Sequence, residues 1–169
     1  MPITPFHFGP GALFHAVAPR KVSFIAFMAA NCITDVESIY NILRGNFPLH
    51  RFLHTFVGAA VAAALTVALF VAMRRLARSI RLPDWYEWQQ LALPPVVVGA
   101  LLGSYSHIVL DGIMHADMRP FAPWSEANPF LHAVSLSTLH WACIALGIAG
   151  VMLWLITRPG RPRSASPDS

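Results

Sequence analysis

The stretch "LGSYSHIVLDGIMHADMRP", residues 102–120, sets His107, Asp111 and His115 at four-residue intervals. At about 100° per residue each step turns the helix by only about 40°, so the three side chains share one face. Imidazole and carboxylate are ligands for zinc, and for manganese or iron as alternatives, and no thiolates converge with them. "HRFLH" repeats the spacing with His50 and His54, and "DVE" adds Asp35 and Glu37. On an ideal helix Asp35 and Glu37 diverge by about 160°, so one of them reaches a shared centre only from behind or from an irregular helix end. Asp35 is the better candidate for a direct ligand or for the group that orients an attacking water. The donors exceed what one tetrahedral ion takes. The pattern therefore predicts a cluster of two or three Zn2+ ions with bridging carboxylates and a position left for water.

Other catalytic classes lack their signatures. Ser104 and Ser106 flank His107, but neighbours on a helix do not face each other, and there is no GxSxG elbow. No Gly-rich phosphate loop or dinucleotide fingerprint occurs. Gly99 and Gly103 form a GxxxG that predicts close helix packing. Asn31 and Thr34 are candidate hydrogen-bond partners for the ligands, and Asp117 is placed to orient His115. Arg119, beside Pro120, is a candidate clamp for an anionic headgroup or an aid to the leaving group, a role shared with His115. His15, His132 and His140 read as structural or interfacial, His140 also as a support for the cluster.

The elements that carry these residues are apolar. Of 169 residues, 56% are hydrophobic and 12% charged, against about 25% charged in soluble domains. Runs at 22–43, 52–73, 91–110 and 133–156 are near the roughly 20 residues that cross a bilayer. The expected fold is all-α: an integral membrane four-helix bundle with an irregular amino-terminal segment. Residues 1–158 form a single domain and 159–169 a disordered basic tail. Arg20 and Lys21 come too late for a cleaved signal, and Cys32 and Cys143 read as space-filling thiols. Basic residues gather before the first run, after the second and after the last, which predicts cytoplasmic termini and an extracytoplasmic site. Arginines without aromatic platforms exclude nucleic acid as a partner. In this topology Asp35 and Glu37 end the first helix, His50 and His54 begin the second, and His107, Asp111 and His115 end the third at the same level.

Taken together, "TPFHFGPG" at 4–11, "DVE" at 35–37, "HRFLHT" at 50–55, "SHIVLD" at 106–111 and "RP" at 119–120 resemble the YdjM-type bacterial membrane family, described as predicted LexA-regulated membrane-bound metal-dependent hydrolases. The resemblance covers residues 4 to about 121. It implies His7, Asp35, His50, His54, His107 and Asp111 as the polar core. Glu37 stands where the family commonly has a second Asp, and the His50–His54 interval is one residue shorter than the family form. More distantly, His-x-x-x-Asp beside further imidazoles is similar to the bacterial zinc-dependent phospholipase C arrangement. His7 precedes a cytoplasmic Arg-Lys pair, so it joins an outer site only if the amino-terminal segment re-enters alongside the bundle.

The resulting expectation is a metal-dependent hydrolase in the bacterial cytoplasmic membrane. Its substrate is an amphipathic lipid-linked ester, a phosphoester of a phospholipid or lipid carrier before others. The competing class is a non-catalytic membrane metal-binding or metal-transport protein, and a third is a structural subunit with an internally paired polar cluster.

Overall fold

A computed structural model describes residues 5–157 of the chain. It is all-helical, with no strand among the described residues. The order is a 3-10 turn Pro5–His7, α1 Phe8–Val17, α2 Phe24–Arg44, a 3-10 turn Phe52–His54, α3 Phe56–Ser79, a 3-10 turn Trp85–Gln90, α4 Leu93–Met114 and α5 Leu136–Thr157. The expected tail at 159–169 lies outside the described residues.

Small residues decide how the helices meet. α2 and α4 run parallel, with Gly99 against the backbone of Ser23 and Gly103 against the carbonyl of Phe27. A Cβ at either glycine would collide with that backbone, so the GxxxG is a contact surface. The Ser23 amide also donates to the Pro95 carbonyl at 2.9 Å. α3 returns antiparallel, and Ala30, Ala63 and Ala100 from the three helices form one buried cluster. Pro94 and Pro95 occupy the first turn of α4, where a missing amide hydrogen costs nothing.

The amino-terminal segment is not irregular. It forms α1, about 15 Å long at 1.5 Å per residue, which starts at the site end and runs back toward Lys21. α1 lies parallel to α5, with Gly9 on the Cys143 carbonyl and Gly150 on the backbone of Ala12 and Leu13. Pro19 falls in the turn between α1 and α2, as its missing donor requires. Among the described residues there are therefore five α-helices rather than four.

α3, α4 and α5 are long and apolar enough to cross a membrane. α2 is as long, yet it is polar inside: Asn31, Thr34, Asp35, Ser38 and Asn41 are buried on one stripe, while Val36, Tyr40 and Leu43 are exposed. Leu65, Leu69 and Met73 of α3 and Trp141, Met152 and Ile156 of α5 also face outward. A polar interior under an apolar exterior suits a chain whose surroundings are hydrocarbon. Cys32 and Cys143 are free thiols, Cys143 buried and Cys32 exposed.

Candidate metal centre

Four segments meet at one end of the bundle. α2 and α4 supply Asp35, His107 and Asp111 from their carboxyl-terminal halves, and His115 caps α4. The turn before α1 supplies His7, and the loop between α2 and α3 supplies His50 and His54.

That loop departs from the expected helix start. His50 precedes a 3-10 turn that ends at His54, and α3 begins only at Phe56. The reason lies in its amides. Asp117 Oδ2 accepts from the amides of Leu49 and His50 at 2.9 and 3.2 Å. Glu37 accepts from the amides of Phe52 and Leu53 at 3.1 and 2.8 Å. Carboxylates hold the donors that a helix would direct elsewhere, and Thr55 Oγ1 caps α3 by accepting from the Gly58 amide.

Asp111 is the hub. Its Oδ2 lies 3.2 Å from His107 Nε2, 3.7 Å from His54 Nε2 and 4.0 Å from His50 Nε2. Its Oδ1 lies 3.2 Å from His7 Nε2 and 4.0 Å from His115 Nε2. Asp35 Oδ1 completes the inner group at 3.4 Å from His107 Nε2 and 3.8 Å from His54 Nε2. Two sets form, each with ligand atoms within 4.8 Å of one another: Asp35, His54, His107 and Asp111, and then His50, Asp111 and His115. Donors about 2.0–2.1 Å from a tetrahedral zinc are spaced by about 3.3–3.4 Å, close to the shorter separations here.

The approach geometry supports ligation over hydrogen bonding. His7 Nε2, His107 Nε2 and Asp111 Oδ1 are buried without a hydrogen bond despite their proximity. Orphaned buried polar atoms are costly and rare, and here they converge on common space. Residues behind the imidazoles orient them. His107 Nδ1 lies 3.0 Å from Asn31 Oδ1, whose amide nitrogen donates to the Phe27 carbonyl and so fixes its direction. His50 Nδ1 lies 2.8 Å from Asp117 Oδ1. A proton on each Nδ1 leaves Nε2 as the lone-pair nitrogen facing Asp111. The donor set and its backing thus fit a metal ion.

Electrostatics differ around the ring. Burial, with the neighbouring His54, holds the His50 imidazole below its ordinary range despite Asp117. Burial does the same to His115. Burial also opposes protonation of His54, but Asp35 and Glu37 outweigh it and raise that imidazole. Burial raises the Asp117 carboxyl, but the bond and charge of His50 together with the amides of His50 and Leu49 outweigh it, and the carboxyl is lowered.

The expected site residues thus fall into three places. His7, Asp35, His50, His54, His107, Asp111 and His115 gather around the hub. Glu37, expected among the ligands, stands behind His54, its Oε2 3.8 Å from Nδ1 on the side away from Asp35 and Asp111. Arg119 is outside the cluster on an exposed rim, paired with Glu126 at 2.7 Å. Asp117 orients His50 rather than His115, because α4 stops at Met114 and the turned chain carries Asp117 under the 48–55 loop. Thr34 does not reach a ligand; its hydroxyl donates to the Ala30 carbonyl. His140 stacks on Phe6 with centroids 4.5 Å apart, and His15 Nδ1 meets the Val22 carbonyl at 2.7 Å. No family model, no curated protein and no solved structure matches the chain.

Proposed function

We propose that the chain is a membrane-embedded, zinc-dependent hydrolase of a lipid-linked phosphoester, with its site at the extracytoplasmic end of the bundle. One observation carries the reading: two ligand sets share Asp111, whose two oxygens face different imidazoles. A shared carboxylate between adjacent cation seats is the arrangement used to act on two oxygens of one phosphoryl group. The YdjM-type resemblance points the same way. Basic residues at the opposite end favour a cytoplasmic face there, where α5 ends, whereas α1 begins at the site end, so the expectation of two cytoplasmic termini does not hold for the amino end.

Bound zinc would supply Lewis acidity toward phosphoryl oxygens and an acidified water. The chain's own residues do the rest. Asp111 spans the two seats, and Asn31 and Asp117 hold His107 and His50 with Nε2 presented. Asp35, on the inner set, orients water and takes its proton at a carboxylate oxygen. His115, 22% exposed, is the most open imidazole of the cluster, so the outer set is the side on which substrate would enter. Exposed apolar faces on α3 and α5 keep the bundle in lipid, so a substrate's tail stays in hydrocarbon while its headgroup meets the site.

The test is metal content of detergent-purified chain together with turnover of a panel of phospholipids and polyprenyl phosphates. About two zinc ions per chain, with turnover lost to a chelator and restored by zinc, is the expected result. Zinc without turnover of any lipid moves the chain to metal handling. Turnover that survives complete removal of metal overturns the mechanism.

A further inference from the structure

Beside the cluster, a cleft of about 440 Å3 opens between the 48–55 loop and the turn carrying Arg119 to Pro123. His50, Arg51, Phe52, Thr55 and Arg119 stand on its walls. That volume falls within the range of small-ligand sites. His50 is shared: it belongs to the outer ligand set and also lines the cleft.

Two arginines line this space, each with guanidinium donors to spare. Arg51 directs Nε to the Pro48 carbonyl at 3.1 Å and Nη2 to the Phe47 carbonyl at 3.4 Å. Arg119 makes one bond, from Nη1 to Glu126. A guanidinium has five N–H donors, so both keep several for a ligand. Of the nearby carboxylates, Asp117 is committed to His50 and two loop amides, and Glu126 is 80% exposed on the rim. Glu37 is likewise committed, to the amides of Phe52 and Leu53, so the arginines are the charged side chains among residues that otherwise make a largely apolar wall.

We propose that this cleft binds the phosphate group of the substrate, with Arg51 and Arg119 as a two-sided clamp that delivers it to the ligand set containing His50. The inference deepens the hydrolase reading and rests on it for the direction of delivery. Anion binding itself is measurable without turnover. Planar guanidinium forks suit phosphate oxygens, and Phe52 and Pro123 leave an apolar edge for the glycerol or alkyl portion.

The experiment titrates detergent-solubilised, zinc-loaded full chain with inorganic phosphate and with dihexanoyl phosphatidic acid, using dihexanoyl phosphatidylcholine as the masked-headgroup control. Arg51→Ala and Arg119→Ala are each expected to weaken binding of both anions about tenfold with zinc content unchanged, and the lysine variants to recover part of it. Tighter binding of phosphatidic acid than of phosphate identifies a lipid headgroup as the source, and equal binding identifies free phosphate. Either anion binding unchanged in the double alanine variant overturns the clamp. The two readings separate cleanly. Anion binding that depends on the arginines in a protein that hydrolyses nothing leaves the clamp standing and removes the hydrolase. Zinc-dependent turnover that is indifferent to both arginines does the reverse.

Discussion

The two ligand sets share a carboxylate but live in different surroundings. His54 and His107 of the inner set have no exposed surface and are backed by Glu37 and Asn31. In the outer set His115 is partly open, and His50 borders the cleft. A dry set would hold an ion as part of the fold, because buried polar atoms there have no other partner. An open set can exchange water for substrate. In the proposed mechanism the contrast favours a retained ion in the inner set and approach of substrate from the outer one.

Asp111→Ala should have the largest effect, since both sets depend on it. Zinc measured by elemental analysis should fall from about two ions per chain to below one, and turnover should be lost. Two retained ions in that variant would falsify the shared hub. His54→Ala and His115→Ala then set the halves against each other. Loss of the inner imidazole should lower the melting temperature in detergent by several degrees, at a cost of about 1–3 kcal/mol. Loss of the outer one should leave melting unchanged and remove about one zinc. Equal melting losses would erase the distinction between the seats. Asp117→Asn keeps the shape but weakens the support of His50, and should reduce affinity at the outer seat about 10–100-fold with the inner ion retained. The smallest effect belongs to Ser106→Ala. Its hydroxyl donates to the Gly103 carbonyl at 3.2 Å, so turnover should stay within about twofold. A large loss there would point to a serine nucleophile and away from metal chemistry.

The legible part of the site was helical. His107 and Asp111 at i and i+4 share a face wherever that helix goes, and Gly99 and Gly103 announce a close neighbour by the same periodicity. Asp35 could be told from Glu37 on the same ground, and α2 does turn Asp35 inward while Glu37 reaches the loop backbone. Hidden was everything governed by loops. The "HRFLH" interval suggests a helix, yet Asp117 and Glu37, distant in sequence, hold its amides open. No local pattern encodes that capture. Likewise nothing within "TPFHFGPG" says that α1 returns toward the basic end; the contact of Gly9 with Cys143 decides it.

By itself, the order of residues determined an all-helical, lipid-compatible chain with imidazoles and carboxylates gathered toward one end. Those properties follow from apolar run length and from the 3.6-residue period, both local. Only the tertiary structure decided which carboxylate is the hub, which ones stand behind the imidazoles, and where the arginines open a cleft. Such choices depend on hydrogen bonds and packing between segments distant in sequence, as between Asn31 and His107, 76 residues apart.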